Sequence, residues 1–411
     1  MEYKVPINGW PKGVDNVHAD FELPPDTLMR GVNINILDSG KVRRRDGHAL
    51  ATALSGAHSL WSDGDTAYYI RANTLYRYSS AGVSTSIGAF AAGANRAAFV
   101  KVDADVYVTS KTAKTKIKGG VVSPWGVETP TSPPSVSATT GILPAGVYFV
   151  ACTFLTADKQ ESGASSLAKI TLATPGGIVT TAMPIPADPL ATLKRVYIST
   201  TDGEVLYMAA EVSAATQFVS VTTLPSGAEL RTEHISPPPL GVLLAYLNGR
   251  IFIVDAADPT ILWYTEANAY GHIKLRKNFY KFEAPVTMIA ASSDGLYVAA
   301  DSTWFISGAG SAEATQRIVL EDGAVFGSAA SIPDTTNVIW MSPRGAVIGK
   351  ESGVIEVLAD KRAFPGDMVD AAAMVREQNS IRQYVIVGSN SDASALQAGS
   401  YAEAEIIRRA A

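Results

Sequence analysis

HSLWSDGDTAYYIRANTLYRYSSAGVSTSI, residues 58–87, holds four β-rich runs: 58–62, 66–71, 74–78 and 83–87. Asp63-Gly64-Asp65 and Ala72-Asn73 separate the first three, and these residue types tolerate the positive φ that tight hairpin turns require. Four antiparallel strands in about thirty residues is the size of one propeller blade. If the chain repeats this unit, its fold is all-β.

The same texture recurs outward from this stretch. On the N-terminal side, Val32-Asn33-Ile34-Asn35-Ile36 alternates apolar and polar residues, as a half-buried strand does. Asp38-Ser39-Gly40 then turns the chain, and 41–45 returns as a partner strand. On the C-terminal side, 97–100, 106–108 and 115–117 form a second set. After residue 239 the sets resume, first with 243–247, 251–254 and 261–264, then with 286–291, 296–298 and 303–305. Next come 329–332, 338–341, 346–348 and 354–357, and finally 371–375 with 382–387. Residues 368–377 carry alanine and charge in helix-compatible proportions, yet Gln378-Asn379-Ser380 turns them directly into 381–387, so they read as a strand. Residues 402–410 suit helix or strand.

Two proline-rich linkers, ETPTSPP at 128–134 and SPPP at 236–239, interrupt this series. Proline lacks a donor and fixes φ, so neither linker is an interior strand. Between them, 147–155, 167–172, 178–185, 193–199, 205–212 and 217–221 are strand candidates, the number an immunoglobulin-like sandwich needs. The expected architecture is therefore a β-propeller of about six blades with an inserted immunoglobulin-like β-sandwich. Its parts are 1–127 (N-terminal hairpin and first propeller part), 128–239 (sandwich) and 240–411 (remaining propeller). The N-terminal hairpin is available to pair into the last set and close the ring, which removes exposed sheet edges.

Composition fits a well-buried globular chain: 47% hydrophobic, 18% charged and a net charge of −5. A nucleic-acid-gripping domain is expected to be basic, and this one is not. The single cysteine, Cys152, cannot form an internal disulfide and sits in an apolar run, as a small core residue would. No secretory signal and no apolar run of about 20 residues is visible, so a soluble chain made in the cytoplasm is expected.

Catalytic constellations are missing. The five histidines, His18, His48, His58, His234 and His272, show no metal-ligand spacing. There is no phosphate loop and no G-x-S-x-G elbow. Ser293-Asp294-Gly295 and Ser62-Asp63-Gly64 approach the Asp-box of propeller sialidases but lack its tryptophan, and Asp-Gly is a common hairpin turn. Asp255, Asp258, Asp294 and Asp301 flank turns without a calcium-loop pattern. No catalytic residue, metal ligand or cofactor is expected.

Three basic clusters remain: Lys41, Arg43, Arg44 and Arg45; Lys111, Lys114, Lys116 and Lys118; and Lys274, Arg276, Lys277 and Lys281. Phe279, Tyr280 and Phe282 interleave with the last, a pattern that suits nucleic-acid contact. The plainer reading is exposed strand faces whose charges discourage edge pairing.

Residues 28–47 (LMRGVNINILDSGKVRRRDG) resemble the start of tail proteins of tailed bacteriophages, where an alternating strand leads through a D-x-G turn into a basic element. Ser59-Leu60-Trp61, Ala67-Tyr68-Tyr69, Leu75-Tyr76-Arg77, Leu247-Asn248-Gly249-Arg250-Ile251-Phe252 and Val375-Arg376-Glu377-Gln378-Asn379 are similar to the same family in order. Leu143-Pro144-Ala145-Gly146-Val147-Tyr148, followed by Gln160-Glu161-Ser162, is similar to sandwich modules of phage virion proteins. The resemblance spans almost the whole chain and is nearest to the nozzle protein of short-tailed phages. It implies a non-enzymatic virion protein, assembled in the host cytoplasm, that forms a ring (six-fold by the usual pattern) below the portal and adaptor. DNA would leave through that ring, and no membrane insertion is implied. Lys41, Arg43, Arg44 and Arg45 then become candidates for subunit or neighbour-ring contacts. A receptor- or carbohydrate-binding tail protein, with the sandwich as recognition module, and a glycan-acting propeller enzyme stay open beside it.

Overall fold

The computed structural model describes residues 9–16, 18–31, 34–37, 39–44, 54–358, 368–378, 381–390, 402–403 and 407–408. Among them there is no α-helix; two three-residue 3-10 turns interrupt an otherwise all-β chain. Five four-stranded antiparallel sheets follow one another, each a meander whose strands pair in sequence order. The first is Ala57–Ser62, Ala67–Arg71, Thr74–Tyr78 and Ser84–Ala89. The second is Ala98–Val102, Asp105–Thr109, Lys114–Lys118 and Val121–Ser123. Gly241–Leu247, Arg250–Asp255, Ile261–Tyr264 and Phe279–Lys281 make the third. Met288–Ala291, Gly295–Ala299, Thr303–Ser307 and Thr315–Leu320 make the fourth, and Ala330–Ser331, Val338–Ser342, Gly345–Gly349 and Ile355–Val357 the fifth.

Positive φ at Ala72 (47°) and Asn73 (59°) closes the tight turn expected there, and Asn248 and Gly249 do the same in the third meander. The second strand of each of the first four meanders is the most buried, and in the fifth the second and third strands are equally buried. Gly295–Ala299 and Val338–Ser342 are buried at every position, because both faces of the sheet are covered there. Outer strands such as Thr315–Leu320 are largely exposed.

The chain divides into two compact units. Gly56–Ala257 with Leu262–Tyr280 holds the first three meanders except for Ile261 and Lys281, and these meanders stack in series. Tyr68, Ile70 and Leu75 of the first share a core with Phe99, Val106 and Val108 of the second. Trp61 stacks on Phe99 across that interface at 5.6 Å and 6°. Val102, Tyr107 and Trp125 from the second meander and its C-terminal flank meet Ile251, Ile253 and Ile273 of the third meander and its loop. The second meander thus buries one face on the first and the other on the third.

This unit also contains a two-sheet module built from residues between the second and third meanders. One sheet orders Ser135–Leu143, Gly176–Ala182 and Ser220–Val221; the other orders Ala168–Leu172, Gly146–Thr156, Ala191–Ser199 and Leu206–Ser213. Leu143, Tyr148, Val150, Ile178, Val196 and Ile198 form their common core.

The other unit is Met1–Ser55, Asp258–Ile261 and Lys281–Ala411. Within it, Tyr297 and Phe305 of the fourth meander share a core with Val338, Trp340 and Val347 of the fifth. The fifth packs Ile339, Met341 and Ile348 on Ala371, Tyr384 and Ile386 of a C-terminal hairpin, Met368–Gln378 with Ile381–Asn390. The hairpin's second strand is joined by Ala402–Glu403 and Ile407–Arg408, so these residues of the segment read as helix or strand are strands. Among the described residues the N-terminal hairpin, Ile34–Ile36 with Val42–Arg44, forms its own two-stranded sheet and does not pair into the last one. The Tyr384 hydroxyl donates to the Ser328 carbonyl at 2.6 Å, pinning the C-terminal hairpin. Tyr384→Phe is expected to lower unfolding free energy by about 1–2 kcal/mol in a denaturant titration. An unchanged midpoint would mean that this bond contributes nothing.

Candidate interaction surfaces

The N-terminal hairpin presents its cations. Gly40 adopts φ +74°, and its N–H donates to the Leu37 carbonyl while the Leu37 N–H donates to that of Lys41, each at 2.8 Å. This tight turn sends Val42–Arg44 back along Ile34–Ile36, pairing Asn35 with Arg43 and Ile34 with Arg44. Lys41, Val42, Arg43 and Arg44 are all exposed. Arg45, the fourth expected contact residue, lies outside the described residues, as does His48.

The other two basic runs are not single surfaces. In the second, the Lys114 ammonium donates to the Pro238 carbonyl of the linker leaving the module. Burial pushes this amine down to about 8. Lys116 lies 4.0 Å from Asp105 and Lys118 3.8 Å from Asp158, so among the described residues Lys111 has neither an ion pair nor the backbone contact that Lys114 makes. In the third run, Lys274 pairs with Glu266 at 3.3 Å and Lys281 with Asp258 at 2.7 Å. Phe282 is buried, Tyr280 packs on Tyr264 and Phe279 on Trp263, leaving Arg276 and Lys277 exposed.

Asp63 of the near Asp-box, and the aspartates weighed as calcium ligands, bind nearby backbone or side chains. Asp63 accepts from the Asp65 and Thr66 N–H groups and pairs with Lys101 at 2.7 Å. Asp255 accepts from the Ala257 N–H and the Trp263 indole, both at 2.7 Å. Asp258 accepts from Lys281 and from the Thr260 N–H and hydroxyl, which hold its carboxyl down to about 2. Asp294 accepts from the Ser352 N–H at 2.8 Å, and Asp301 from the Ser302 N–H at 2.8 Å. Among the described residues, no three His, Cys, Asp or Glu side chains gather as a metal site. Cys152 is fully buried, and burial pushes its thiol up to about 11.

The junction between the module and the third meander went unnoticed in the sequence. Glu161 accepts from Arg195 at 2.7 Å, from the Tyr197 hydroxyl at 2.7 Å and from the Thr153 hydroxyl at 2.6 Å. Its backbone carbonyl accepts from His272 Nε2 at 2.6 Å. Close approach of backbone needs glycine at Gly126 and Gly163. A Cβ on Gly163 would lie 1.8 Å from the Ile235 carbonyl oxygen and one on Gly126 2.9 Å from that of Gly271, whereas one on Gly271 would meet the Gln160 amide nitrogen at 2.2 Å, a side-chain end that can turn aside.

No protein-family model matches this chain. No curated protein matches it either. Among solved structures it is similar to virginiamycin B lyase from Staphylococcus aureus at 12% identity and TM-score 0.33, over 82% of this chain and 93% of that one. It is also similar to BBS1N, solved with ARL6DN, at 12% identity and TM-score 0.30, over 87% and 92%. A chain of a mitotic checkpoint complex matches at 10% identity and TM-score 0.34, over 85% and 96%. Likenesses of this grade carry neither a fold nor an activity to this chain.

Proposed function

We propose that this chain is a structural protein of a bacteriophage tail that assembles into a ring, a nozzle below the portal and adaptor through which DNA is ejected. The tail assignment rests on the resemblance of residues 28–47 and of the ordered motifs after them to phage tail proteins. Face-to-face stacking of successive meanders is the structural observation that supports it. Three meanders stack in one unit, and two meanders and a hairpin sheet in the other, which supplies the six sheets of a six-bladed propeller.

The module's four-stranded sheet runs in the C′-C-F-G order of an immunoglobulin-like sandwich, and Ser135–Leu143 pairs with Gly176–Ala182 as B pairs with E. Lys41, Arg43 and Arg44 supply an exposed cationic ribbon for a subunit or a neighbouring ring. In this reading the work is mechanical. A lumen without a basic excess lets the phosphate backbone slide where a basic wall would hold it, and the net charge of −5 is compatible with such a lumen. No cofactor takes part. No helix among the described residues is long and apolar enough to cross a membrane.

Phe218, 70% exposed on the module, favours the second reading, a receptor- or carbohydrate-binding tail protein. Antibody labelling of intact virions separates the two. Label at the junction below the portal is expected for the nozzle; label at the distal tip or on fibres, with glycan binding by the pure chain, would replace it with the second reading.

A further inference from the structure

The charge of this chain is unevenly placed. Residues 128–239 hold nine acidic and five basic side chains, a net −4 of the total −5. Part of that excess gathers on one ribbon at the open edge of the four-stranded sheet. Tyr207 bridges Glu229 in antiparallel fashion, with the Met208 N–H donating to the Ala228 carbonyl and the Leu230 N–H to that of Leu206, both at 2.9 Å. Glu204, Glu229 and Glu233 are exposed along this ribbon, and none has an ion pair among the described residues. Arg231 lies between the last two. Asp202, just before the ribbon, is exposed and accepts from the Val147 N–H at 2.8 Å. Val205, 45% exposed, and Leu224, 48% exposed, give the same region an apolar component.

The N-terminal hairpin carries the complementary pattern. Lys41 and Arg44 are exposed and make no ion pair among the described residues, Arg43 is exposed beside them, and Val42 is 38% exposed between cations. The two ribbons match in kind, cations about a valine on one side and carboxylates beside Val205 and Leu224 on the other. Because they are different patches of one surface, their pairing between copies is head-to-tail, the form that closes into rings.

We infer that the hairpin of one copy docks on the Glu204–Glu229–Glu233 ribbon of the next copy, forming the electrostatic part of the subunit contact in the ring. This inference rests on the ring reading and names the hairpin's partner within it. Opposite charges at such a contact steer association and make it salt-dependent.

The test is a charge swap in the full-length chain, followed by sedimentation velocity. Lys41→Glu with Arg44→Glu, and separately Glu204→Lys with Glu229→Lys, should each weaken self-association by at least about tenfold. Mixed one to one, the two variants should recover association, because each altered hairpin then meets an altered ribbon. All four positions are exposed, and recovery in the mixture also demonstrates that both variants are folded. If wild-type rings form and either variant assembles like wild type, or the mixture fails to recover, the contact is wrong while the ring stands. A wild-type chain that stays monomeric alone and with its portal–adaptor complex overturns the ring reading and this contact with it.

Discussion

Gly163→Ala is expected to destabilise the protein by about 3 kcal/mol, the upper end of what overpacking does. The added Cβ would sit 1.8 Å from the Ile235 carbonyl oxygen and 2.8 Å from Thr129 Oγ1. A flexible side chain could swing away, but this obstacle is backbone. Ile235 is held on one side by its pairing with Lys274 and on the other by its N–H bond to the Thr232 carbonyl. Relief therefore needs the loop or the strand to shift, which disturbs the packing around both. The neighbouring exposed Ser166, changed to alanine, should move stability by no more than about 0.5 kcal/mol. Urea unfolding of both variants checks this, and a Gly163→Ala protein as stable as wild type would mean that the module does not dock as described.

Lys114→Met is expected to stabilise the protein at pH 7, by about 1–2 kcal/mol. Burial lowers the folded-state amine from 10.5 to about 8, a difference equivalent to about 3 kcal/mol. Loss of the bond to the Pro238 carbonyl gives back about 1 kcal/mol of that. The sign with pH follows from proton binding. Between about 8 and 10.5 the unfolded chain holds the proton that the folded chain has released, so wild-type stability rises through this window. Below pH 8 the folded protein carries the full burden of a buried ammonium, and methionine removes it. The variant's advantage should shrink from pH 8 upward, reach zero inside this window and reverse by about 10.5, where the neutral amine keeps a contact that methionine lacks. A variant less stable than wild type at pH 7 would show that the ammonium–carbonyl contact outweighs burial.

The interior of the fold was legible in the sequence, and its periphery much less so. In the first meander, 58–62, 66–71, 74–78 and 83–87 match the observed strands to within two residues at each end, since the turns at 63–65 and 72–73 carry strong local signals. The fourth strands of the next three meanders, Val121–Ser123, Phe279–Lys281 and Thr315–Leu320, escaped notice as strands. An outermost strand pairs on one side only and needs no buried face, so TQRIVL shows no apolar alternation. The same reason hid Ser135–Leu143, an edge strand with one fully buried residue, Leu143. Phe279-Tyr280-Lys281 was visible only as an aromatic–basic cluster.

The surfaces followed a similar logic. The Lys41–Arg44 ribbon is local and could be read from an alternating strand and a D-x-G turn. Lys114 could not, because its partner at Pro238 is 124 residues away. Nor could Gly126 and Gly163, whose need for glycine arises from the distant backbone that approaches them. The Glu161 cluster likewise depends on Arg195 and Tyr197 arriving from another strand.

Light scattering of the purified chain, alone and with its phage portal–adaptor complex, tests the central claim most directly. The chain is 43.3 kDa, so a six-membered ring would weigh about 260 kDa. The ring account predicts that mass for the free chain, or an equal increment on the complex when the two are mixed. A monomer that adds nothing to the portal–adaptor complex would contradict it.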